Sequence, residues 1–305
     1  HSPYFPLTLP SPPRRGRGFK VRGFEKGDSM IFVAGIDMGA KCTKGIIMDE
    51  ERQVRGKSLV RTRPDFVAVA KEALGLALEQ AGLKETDLSY IATTGFGRYN
   101  VPFRDIQITE ITCVGRGAVF LFPKTRCILD IGAQSTRAIR IHDGGKVREF
   151  RTNDKCAAGA GGFIERAAKY LEVKIEEVGE LSLRSDQPQT ISSVCAVLAE
   201  SEIINHVSNG QTVENILYGV HQSLASRALA LMKRAGLEDE VTFVGGVARQ
   251  KGMVKALEEA LKRKVNVSEE PEIAGALGAA LLALRRLEKM RQNGQEPTVA
   301  AVQIV

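Results

Sequence analysis

The sequence predicts an α/β protein with two like subdomains, each a β-β-β-α unit, that face each other across a cleft. The main observation is an internal repeat. Residues 33–41 and residues 126–135 share one layout: an apolar strand, an aspartate and a glycine-containing turn that leads into a returning strand. A repeated supersecondary unit indicates a duplicated architecture. A second observation is a later apolar strand that runs into Gly245 and Gly246, which supplies a third glycine turn.

Length, composition and charge bound the class of protein. The chain has 305 residues, of which 43% are hydrophobic and 26% charged, which suits two domains with full cores. No apolar run reaches the roughly 18 residues that a bilayer span requires, so we expect no membrane partner. The net charge is +7. Residues 1–29 hold six Lys/Arg and two acids, so 6 − 2 = +4 belongs to them and +3 to the rest. We therefore expect no nucleic-acid partner.

The cysteine content argues for a reduced compartment. Five cysteines is an odd number, and no apolar signal segment is present, so we expect a cytoplasmic protein without a disulfide framework. No pair has the Cys-x-x-Cys spacing of a zinc knuckle. Cys42, Cys113 and Cys127 lie in apolar periodic segments, which predicts small core residues.

The first subdomain is predicted over residues 30–125. Residues 1–29 are rich in Pro, Arg and Gly without apolar periodicity, so we expect a disordered leader that is not native, with a natural start at Met30. A short basic targeting arm is the alternative. The predicted strands are residues 31–37, 42–49, 57–63 and 88–93, and the predicted helices are residues 64–81, which Pro64 opens and Gly82 ends, and residues 110–122.

The second subdomain is predicted over residues 126–272. A C-terminal helix over residues 273–292 returns to the first subdomain, and residues 293–305 form a loose tail. The first predicted strand of this subdomain begins at residue 126. The others are residues 136–142, 146–152 and 264–267, and residues 241–248 are a strand that runs into a glycine turn. The predicted helices are residues 161–171, 175–183, 196–207, 213–235, 252–262 and 273–291.

Two cysteines stand where a loop becomes a helix. Cys156 precedes the helical pattern that begins at residue 161, and Cys195 precedes the one that begins at residue 196. A helix start carries unpaired N–H groups and partial positive charge, which favours a thiolate and an anionic cluster that it holds. A cubane iron–sulfur cluster needs four cysteines, so a second copy of the chain would complete the set. Without further information, a buried thiol is an equal alternative for each.

The glycine turns predict a phosphate site. Asp37-x-Gly39 and Asp130-x-Gly132 each place an acid at a strand end, next to a residue without a side chain. Backbone N–H groups there can cradle phosphate, while the carboxylate binds Mg²⁺ through water. One such turn alone is more often only a turn. Two of them in repeated units, together with Gly245-Gly246, indicate a nucleotide site.

These motifs resemble the actin/sugar-kinase/Hsp70 ATPase superfamily. Residues 153–159 (NDKCAAG) and 195–202 (Cys195-x-x-x-Ala199-Glu200-Ser201-Glu202) resemble one branch, the BadF/BadG/BcrA/BcrD family. That branch contains activators of 2-hydroxyacyl-CoA dehydratases and ATPase subunits of benzoyl-CoA reductase. The likeness covers roughly residues 31–287, with two cysteine segments and three nucleotide segments in the family's order.

The resemblance implies an ATP site, a metal site and a set of catalytic residues. Cys156 and Cys195 would ligate one [4Fe–4S] cluster between two subunits. Gln134 would position the attacking water, and Asp37 and Asp130 would act with it through Mg²⁺. The segments that match the family's ATP-binding loops contain Gly35, Asp37, Gly39, Ala40, Lys41, Asp130, Gly132, Gln134, Gly245, Gly246 and Val247. The chain departs from the family at the second turn, where Ala133 and Ser135 replace a glycine and an aspartate; this puts the hydrolysis rate or the metal geometry in doubt.

The function that the resemblance implies is ATP-driven electron transfer. Ferredoxin or flavodoxin would donate the electron, and the acceptor would be the catalytic component of an acyl-CoA dehydratase or a benzoyl-CoA reductase. Residues 137–139 and 193–200 favour the reductase type. The assembly would be a homodimer or a pseudo-dimer with a related ATPase subunit, and Gly95 and Gly275 would act as hinges. The alternatives are a sugar or small-molecule kinase of the same fold, which needs a catalytic Asp base, and a non-redox ATP sensor or chaperone.

Other polar residues have ordinary structural explanations. Lys41 either touches phosphate or completes its turn. His206 and His221 fall on helical patterns and are expected to cap or to lie at the surface. Glu200 and Glu202 lie near the expected cluster or on a solvated helix face.

Overall fold

The computed structural model describes residues 30–153, 160–192 and 196–294, which contain two mixed β-sheets. The strands are β1 (Phe32–Met38), β2 (Cys42–Asp49), β3 (Val54–Arg61), β4 (Leu88–Thr94), β5 (Ile106–Gln107), β6 (Cys127–Ile131), β7 (Thr136–Ile141), β8 (Val147–Asn153) and β9 (Val241–Val244). The helices are α1 (Phe66–Ala81), α2 (Glu110–Leu121), α3 (Gly161–Tyr170), α4 (Val178–Ser182), α5 (Ala196–Ser208), α6 (Val213–Ala235), α7 (Lys251–Leu261) and α8 (Ala274–Gln292).

The two sheets have the same arrangement around their opening strands. The first sheet has the order β3-β2-β1-β4-β5, and the second has the order β8-β7-β6-β9. In each sheet the opening strand, β1 or β6, pairs antiparallel with the next strand and parallel with a later one, β4 or β9. The predicted α/β fold class and its internal repeat are therefore confirmed.

Strand β1 is buried on both faces, as its continuous apolar sequence predicts. Successive side chains of a strand point to opposite faces. Val33 accordingly lies in a core cluster with residues of α8, whereas Ala34 and Ile36 lie in a second cluster with residues of α1. The first sheet is thus covered by one helix on each face.

Helix α1 begins and ends at the residues that cap it. The Asp65 carboxylate accepts a hydrogen bond from the Ala68 N–H at 2.9 Å, and Gly82 ends the helix in the left-handed conformation with φ of 68°. The helix therefore begins at Phe66, two residues after the Pro64 start that the sequence predicts.

The second sheet packs against the largest core cluster of the described chain. This cluster joins β6 and β9 to the long helix α6 and to residues of α3, α5 and α7. Helices α3 and α5 are the elements that directly follow the segments containing Cys156 and Cys195. This core therefore holds both helices beside the sheet that contains Asp130.

Three further predicted elements differ clearly from the structure. Strand β3 begins at Val54 rather than at residue 57, because the Asp49 carboxylate accepts from the Gln53 N–H at 2.8 Å and closes a tight hairpin. The strand predicted over residues 264–267 is reduced to one bridge, between Asn266 and Thr242. The helix predicted over residues 175–183 covers only Val178–Ser182.

The leader and the tail lie largely beyond the described chain. Residues 1–29, predicted as a disordered leader, and residues 295–305 of the predicted tail are outside the described residues. Among the helices of the described part, none could span a membrane.

Candidate functional site

A cleft of about 800 Å³ is lined by residues from the first half of the molecule, which contains the first sheet, and from the second half, which contains the second sheet. One side is formed by the turn after β1 (residues 39–41, the first turn). Another is formed by the turn after β6 (residues 132–135, the second turn). The loop after β9, the start of α8 and residues of α2, α3 and α4 also line it. Two repeated units therefore present equivalent turns to one cavity.

In the first sheet, an acid at the end of β1 is held by a lysine on β2. Asp37 lies opposite Lys44 in the strand register, and the Lys44 Nζ donates to Asp37 Oδ2 at 3.2 Å. Both side chains are about 15% exposed. Burial lowers the pKa of Lys44, but the neighbouring Asp37 carboxylate outweighs it, so the pKa of Lys44 is raised overall. Lys44 is therefore charged at neutral pH and fixes Asp37 at the cleft.

The second sheet repeats this pair with an arginine. Asp130 lies opposite Arg137 in the register of β6 and β7, and the Arg137 Nη1 donates to Asp130 Oδ2 at 2.9 Å. Burial raises the pKa of Asp130, and the Arg137 guanidinium offsets only part of this effect. Each half of the molecule thus carries the same unit: an acid at the end of the opening strand and a cation on the returning strand.

A glycine in the left-handed region lies against each acid. Gly95 and Gly245 follow β4 and β9, and both have φ of 90°. A Cβ on Gly95 would lie 2.5 Å from Asp37 Oδ1, and a Cβ on Gly245 would lie 2.6 Å from Asp130 Oδ1. Any side chain at either position would displace the carboxylate, so the backbone there must lack one. Gly275 at the start of α8 approaches Asp37 from another direction, since its Cβ would lie 2.9 Å from Asp37 Oδ2.

A partly buried ion-pair network joins α2 to the second sheet. Glu110, the first residue of α2, forms a close ion pair with Arg137 Nη2, and Arg98 Nη1 lies 3.8 Å from its other carboxylate oxygen. Burial raises the pKa of Glu110, Arg137 counteracts it, and the carboxylates of Asp37 and Asp130 add to the increase. Arg137 therefore serves two carboxylates, one from each half of the molecule.

The second turn is hydrogen-bonded directly to α3. The Gly161 N–H donates to the Gly132 carbonyl at 2.9 Å, and the Gly162 N–H donates to the Ala133 carbonyl at 2.8 Å. These are first-turn N–H groups of a helix, which have no partner within the helix itself. The start of α3 is consequently fixed to the turn that lines the cleft.

Helix α3 is linked in turn to α5. The Arg166 Nε donates to a Glu200 carboxylate oxygen, and the Tyr170 hydroxyl donates to the other at 3.2 Å. Glu202 accepts a hydrogen bond from the Ser192 N–H. The interpretation of Glu200 and Glu202 as a solvated helix face is therefore wrong, because both carboxylates are engaged within the protein.

The cleft brings together most of the residues that the sequence places at ATP. Gly35 is the exception. It lies inside β1 and packs against α8, where a Cβ would come within 2.2 Å of the Ala276 carbonyl oxygen; its role in the structure is close sheet–helix packing. Gln134 is exposed at the second turn. The predicted residues that line the cleft are Asp37, Gly39, Ala40, Lys41, Asp130, Gly132, Gln134, Gly245, Gly246 and Val247.

Cys156 and Cys195, the predicted cluster ligands, lie outside the described residues. Within the described ranges, no three His, Cys, Asp or Glu side chains form a group that could hold a metal ion. Cys113 and Cys127 are buried as predicted, and burial raises the pKa of Cys113 to about 12. Cys42 is only half-buried and lines the cleft, so its assignment to the core is wrong.

The two histidines have different environments. The His206 Nε2 lies 3.1 Å from the carbonyl oxygen of Thr190, a loop residue, so this contact ties α5 to the preceding loop and caps no helix. His221 is completely buried in α6, so its assignment to a cap or to the surface is wrong. Helix α7 packs closely against it, since a Cβ on Gly252 would lie 2.8 Å from the His221 Nδ1. Burial lowers the pKa of His221 to about 3.

Sequence reasoning missed the cations and the third carboxylate of the site. Lys44 and Arg137 each stand seven residues after the acid that they hold. That common spacing is present in the repeat and could have identified both, because a short turn places such residues opposite each other across a hairpin. Glu110 had no comparable signal, since it reaches Arg137 only through tertiary packing of α2.

The chain is similar to a known family of ATPases. Residues 34–283 match the model of the BadF/BadG/BcrA/BcrD ATPase family. The chain is 42% identical over 259 residues to an activator of lactoyl-CoA dehydratase from Anaerotignum propionicum, covering 85% of this chain and 100% of the relative. It is 40% identical over 283 residues to a component of the benzoyl-CoA reductase from Thauera aromatica, covering 89% of this chain and 100% of the relative.

A solved structure has the same fold. It is the activator of the 2-hydroxyisocaproyl-CoA dehydratase from Clostridium difficile with bound ADPNP. The TM-score is 0.82 at 34% sequence identity, and the match covers 90% of this chain and 99% of that chain. Both branches that the sequence motifs resemble are thus represented among the relatives.

Proposed function

Because the chain belongs to the BadF/BadG/BcrA/BcrD ATPase family, we propose that it is an ATP-hydrolysing activator of a CoA-thioester dehydratase or reductase. It drives low-potential electrons from ferredoxin or flavodoxin into the catalytic component. The observation that carries the proposal is the hydrogen bonding between the second turn of the cleft and α3, the helix after Cys156. It connects a nucleotide site to the segment where the cluster is expected.

The cleft fits ATP in shape and chemistry. The backbone at Gly132 has room beside it in the cleft, because a Cβ there would come no nearer than 3.7 Å to another atom, and glycine backbone of this kind cradles phosphate. A volume of about 800 Å³ lies within the range of small-molecule sites. The loop at Gly246 and Val247 lines the cleft and is assigned to the adenosine part, as the family resemblance implies.

The acids and Gln134 are assigned the catalytic roles. Asp37 and Asp130 are oxygen ligands of the kind that hold Mg²⁺ through water, and Lys44 and Arg137 fix their orientation. Gln134 reaches the cleft from the second turn and is suited to orient an attacking water. When bound, ATP supplies the free energy and a reduced [4Fe–4S] cluster supplies the electron.

The cluster is proposed to be held by Cys156 and Cys195 of two subunits. Helices α3 and α5, which follow the two cysteine segments, are joined because Arg166 of α3 binds Glu200 of α5. This contact fits a site to which both segments contribute. Helix α5 also exposes apolar side chains, which mark an interaction surface. The exposed fractions are 68% for Val197, 53% for Leu198, 50% for Ile204 and 47% for Val207. A second, identical or related subunit is the proposed partner of this face.

The coupling path follows from these contacts. Binding and cleavage of nucleotide change the position of the second turn, and the Gly161 and Gly162 hydrogen bonds transmit that change to α3. The Arg166–Glu200 pair passes it to α5. Movement of the two helices would alter the environment of the cysteine segments, where a bound cluster would supply the electron for the partner.

A sugar or small-molecule kinase is the alternative with the same fold. Such an enzyme needs a free carboxylate base in the cleft. Glu110 lies there, but it is bound to Arg137 and Arg98. This arrangement favours a structural role for Glu110, so Glu110 does not supply that base.

The relatives suggest two classes of acceptor, a dehydratase and a reductase. Identities of 42% to the dehydratase activator and 40% to the reductase component do not distinguish the two acceptors. Residues 137–139 and 193–200 resemble the reductase type and favour it. We assign the acceptor as a benzoyl-CoA reductase or a 2-hydroxyacyl-CoA dehydratase component, and the protein as cytoplasmic.

Anaerobic purification tests the proposal. We expect a brown protein with about four iron atoms per two chains that dithionite bleaches and that hydrolyses ATP. Cys156→Ala and Cys195→Ala should each abolish the colour and leave ATP binding intact. Cys113→Ala is the matched control, because this thiol is buried in the core of the first half and should not affect the colour.

Two outcomes would contradict the proposal. A colourless wild-type ATPase that transfers phosphate to a sugar would favour the kinase. Colour that survives in both cysteine variants would show that the cluster ligands are other residues.

A further inference from the structure

A second cavity of about 610 Å³ lies beside the nucleotide cleft. The two cavities share part of their lining, which we call the shared wall. This wall is made of the tips of both turns and one residue of α3. Its members are Ala40, Lys41, Ala133, Gln134 and Glu165. The end of the cleft where the phosphates of ATP are expected therefore adjoins another opening.

An ion pair crosses the shared wall. The Lys41 Nζ lies 2.5 Å from Glu165 Oε1, and the two side chains are 45% and 36% exposed. The pair joins the first turn to α3 and hence one half of the molecule to the other. Exposed ion pairs of this kind contribute little net stability. Lys41 can therefore exchange Glu165 for a stronger anion at little cost.

Beyond the wall, the second cavity is lined by additional cations. Arg61, at the end of β3, and Arg166 of α3 both line it. The neighbouring Thr62 ties this end of β3 to the first turn, because its hydroxyl donates to the Gly39 carbonyl and its N–H to the Lys41 carbonyl, each at 2.8 Å. The backbone next to Arg61 is thus fixed beside the first turn, and the exposed Arg61 side chain extends from it. Arg166 also forms an ion pair with Glu200.

We propose that the second cavity, the exit cavity, binds inorganic phosphate as it leaves after ATP cleavage, with the Lys41–Glu165 pair as its gate. This inference rests on the proposed ATPase function and adds a product-release site to it. Phosphate is a strong multivalent acceptor, so it displaces the Glu165 carboxylate from Lys41. Arg61 then offers the next cation along the way out. Release of Glu165 also frees α3 from the first turn, so phosphate departure is linked to the helix that follows the Cys156 segment.

The equilibrium experiment uses inorganic phosphate and the full-length ADP-loaded protein. Arg61→Ala should weaken phosphate binding about fivefold, the size of one lost charge contact near a surface. Glu165→Gln should strengthen it by a similar factor, because the carboxylate both repels phosphate and competes for Lys41. Arg63→Ala is the matched control. Arg63 lies two residues further along, pairs with Glu72 and lines neither cavity, so phosphate affinity should not change.

Single-turnover kinetics supply the second readout. Quenched-flow measures ATP cleavage, and a fluorescent phosphate-binding protein measures release. Arg61→Ala should slow release about fivefold relative to cleavage, because phosphate that leaves the cleft loses the cation that receives it in the exit cavity. Arg63→Ala should leave both rates unchanged. Equal phosphate affinity in wild type, Arg61→Ala and Glu165→Gln would overturn the exit cavity, as would equal slowing in the Arg63 control. A protein that binds phosphate as expected but never cleaves ATP would instead refute the proposed function alone.

Discussion

Replacing Gly245 by alanine tests the role of the glycine that faces Asp130. Gly245 has φ of 90° and ψ of 168°, a region that is essentially restricted to glycine and costs another residue about 1–3 kcal/mol. The added Cβ would also lie 2.4 Å from the Ile131 carbonyl oxygen, a backbone atom that cannot rotate away. Taken together, we expect a loss of about 3 kcal/mol of unfolding free energy, or a drop in Tm of about 6–12 °C.

Gly246 is the matched control for this prediction. It follows Gly245 directly, and a Cβ there would meet no atom within 4 Å. Gly246→Ala should therefore leave the unfolding free energy within about 0.5 kcal/mol of the wild type. Because Gly246 lines the cleft, its nucleotide affinity should still fall. The assays are urea denaturation and titration with ADP. Equal stability of the two variants would refute the argument that Gly245 is fixed by backbone geometry.

The remaining predictions concern pH. The raised pKa of Glu110 means that its contribution to stability is full below the ordinary value of 4.5 and is lost as pH rises through the folded-state value. Glu110→Gln should therefore gain stability relative to wild type as pH rises above 4.5, and a relative loss on urea denaturation would contradict this. The lowered pKa of His221, about 3 against 6.5, has the opposite sign: its contribution is present above pH 6.5 and is lost as pH falls towards 3. At about pH 5 this residue should cost wild type about 2 kcal/mol, and His221→Met should flatten that acid limb; an unchanged slope would show that another group causes it.

The repeated unit that opens each sheet is predictable from sequence, because the signals that identify it are local. The order of strand, acid and glycine turn appears twice, and the structure places Asp37 and Asp130 at equivalent ends of β1 and β6. Strand β3 and the segment at residues 264–267 are predicted less well. Their pairing depends on a hairpin closed by the Asp49 carboxylate and on a single bridge at Asn266, which apolar periodicity does not encode.

The charges that organise the site are only partly predictable. Lys44 and Arg137 follow from hairpin register, whereas the Glu110–Arg137 and Lys41–Glu165 pairs join segments that are far apart in the chain. Gly35 illustrates the same limit. Its sequence neighbours suggest a phosphate loop, but close packing of β1 on α8 accounts for the glycine. Local motifs identify which residues lie in a turn, whereas tertiary packing determines which of them line the cleft.

The most direct test of the account is ATP-dependent electron transfer in a single turnover. Protein that has been reduced with dithionite and then freed of excess dithionite is mixed under nitrogen with ATP and a low-potential viologen, and viologen reduction and phosphate production are followed together. We predict that viologen is reduced only when ATP is cleaved, and that Cys156→Ala cleaves ATP without reducing the viologen. Viologen reduction at the same rate without ATP, or in the Cys156→Ala protein, would contradict the claim that nucleotide turnover at the cleft drives an electron from a cluster held by that cysteine.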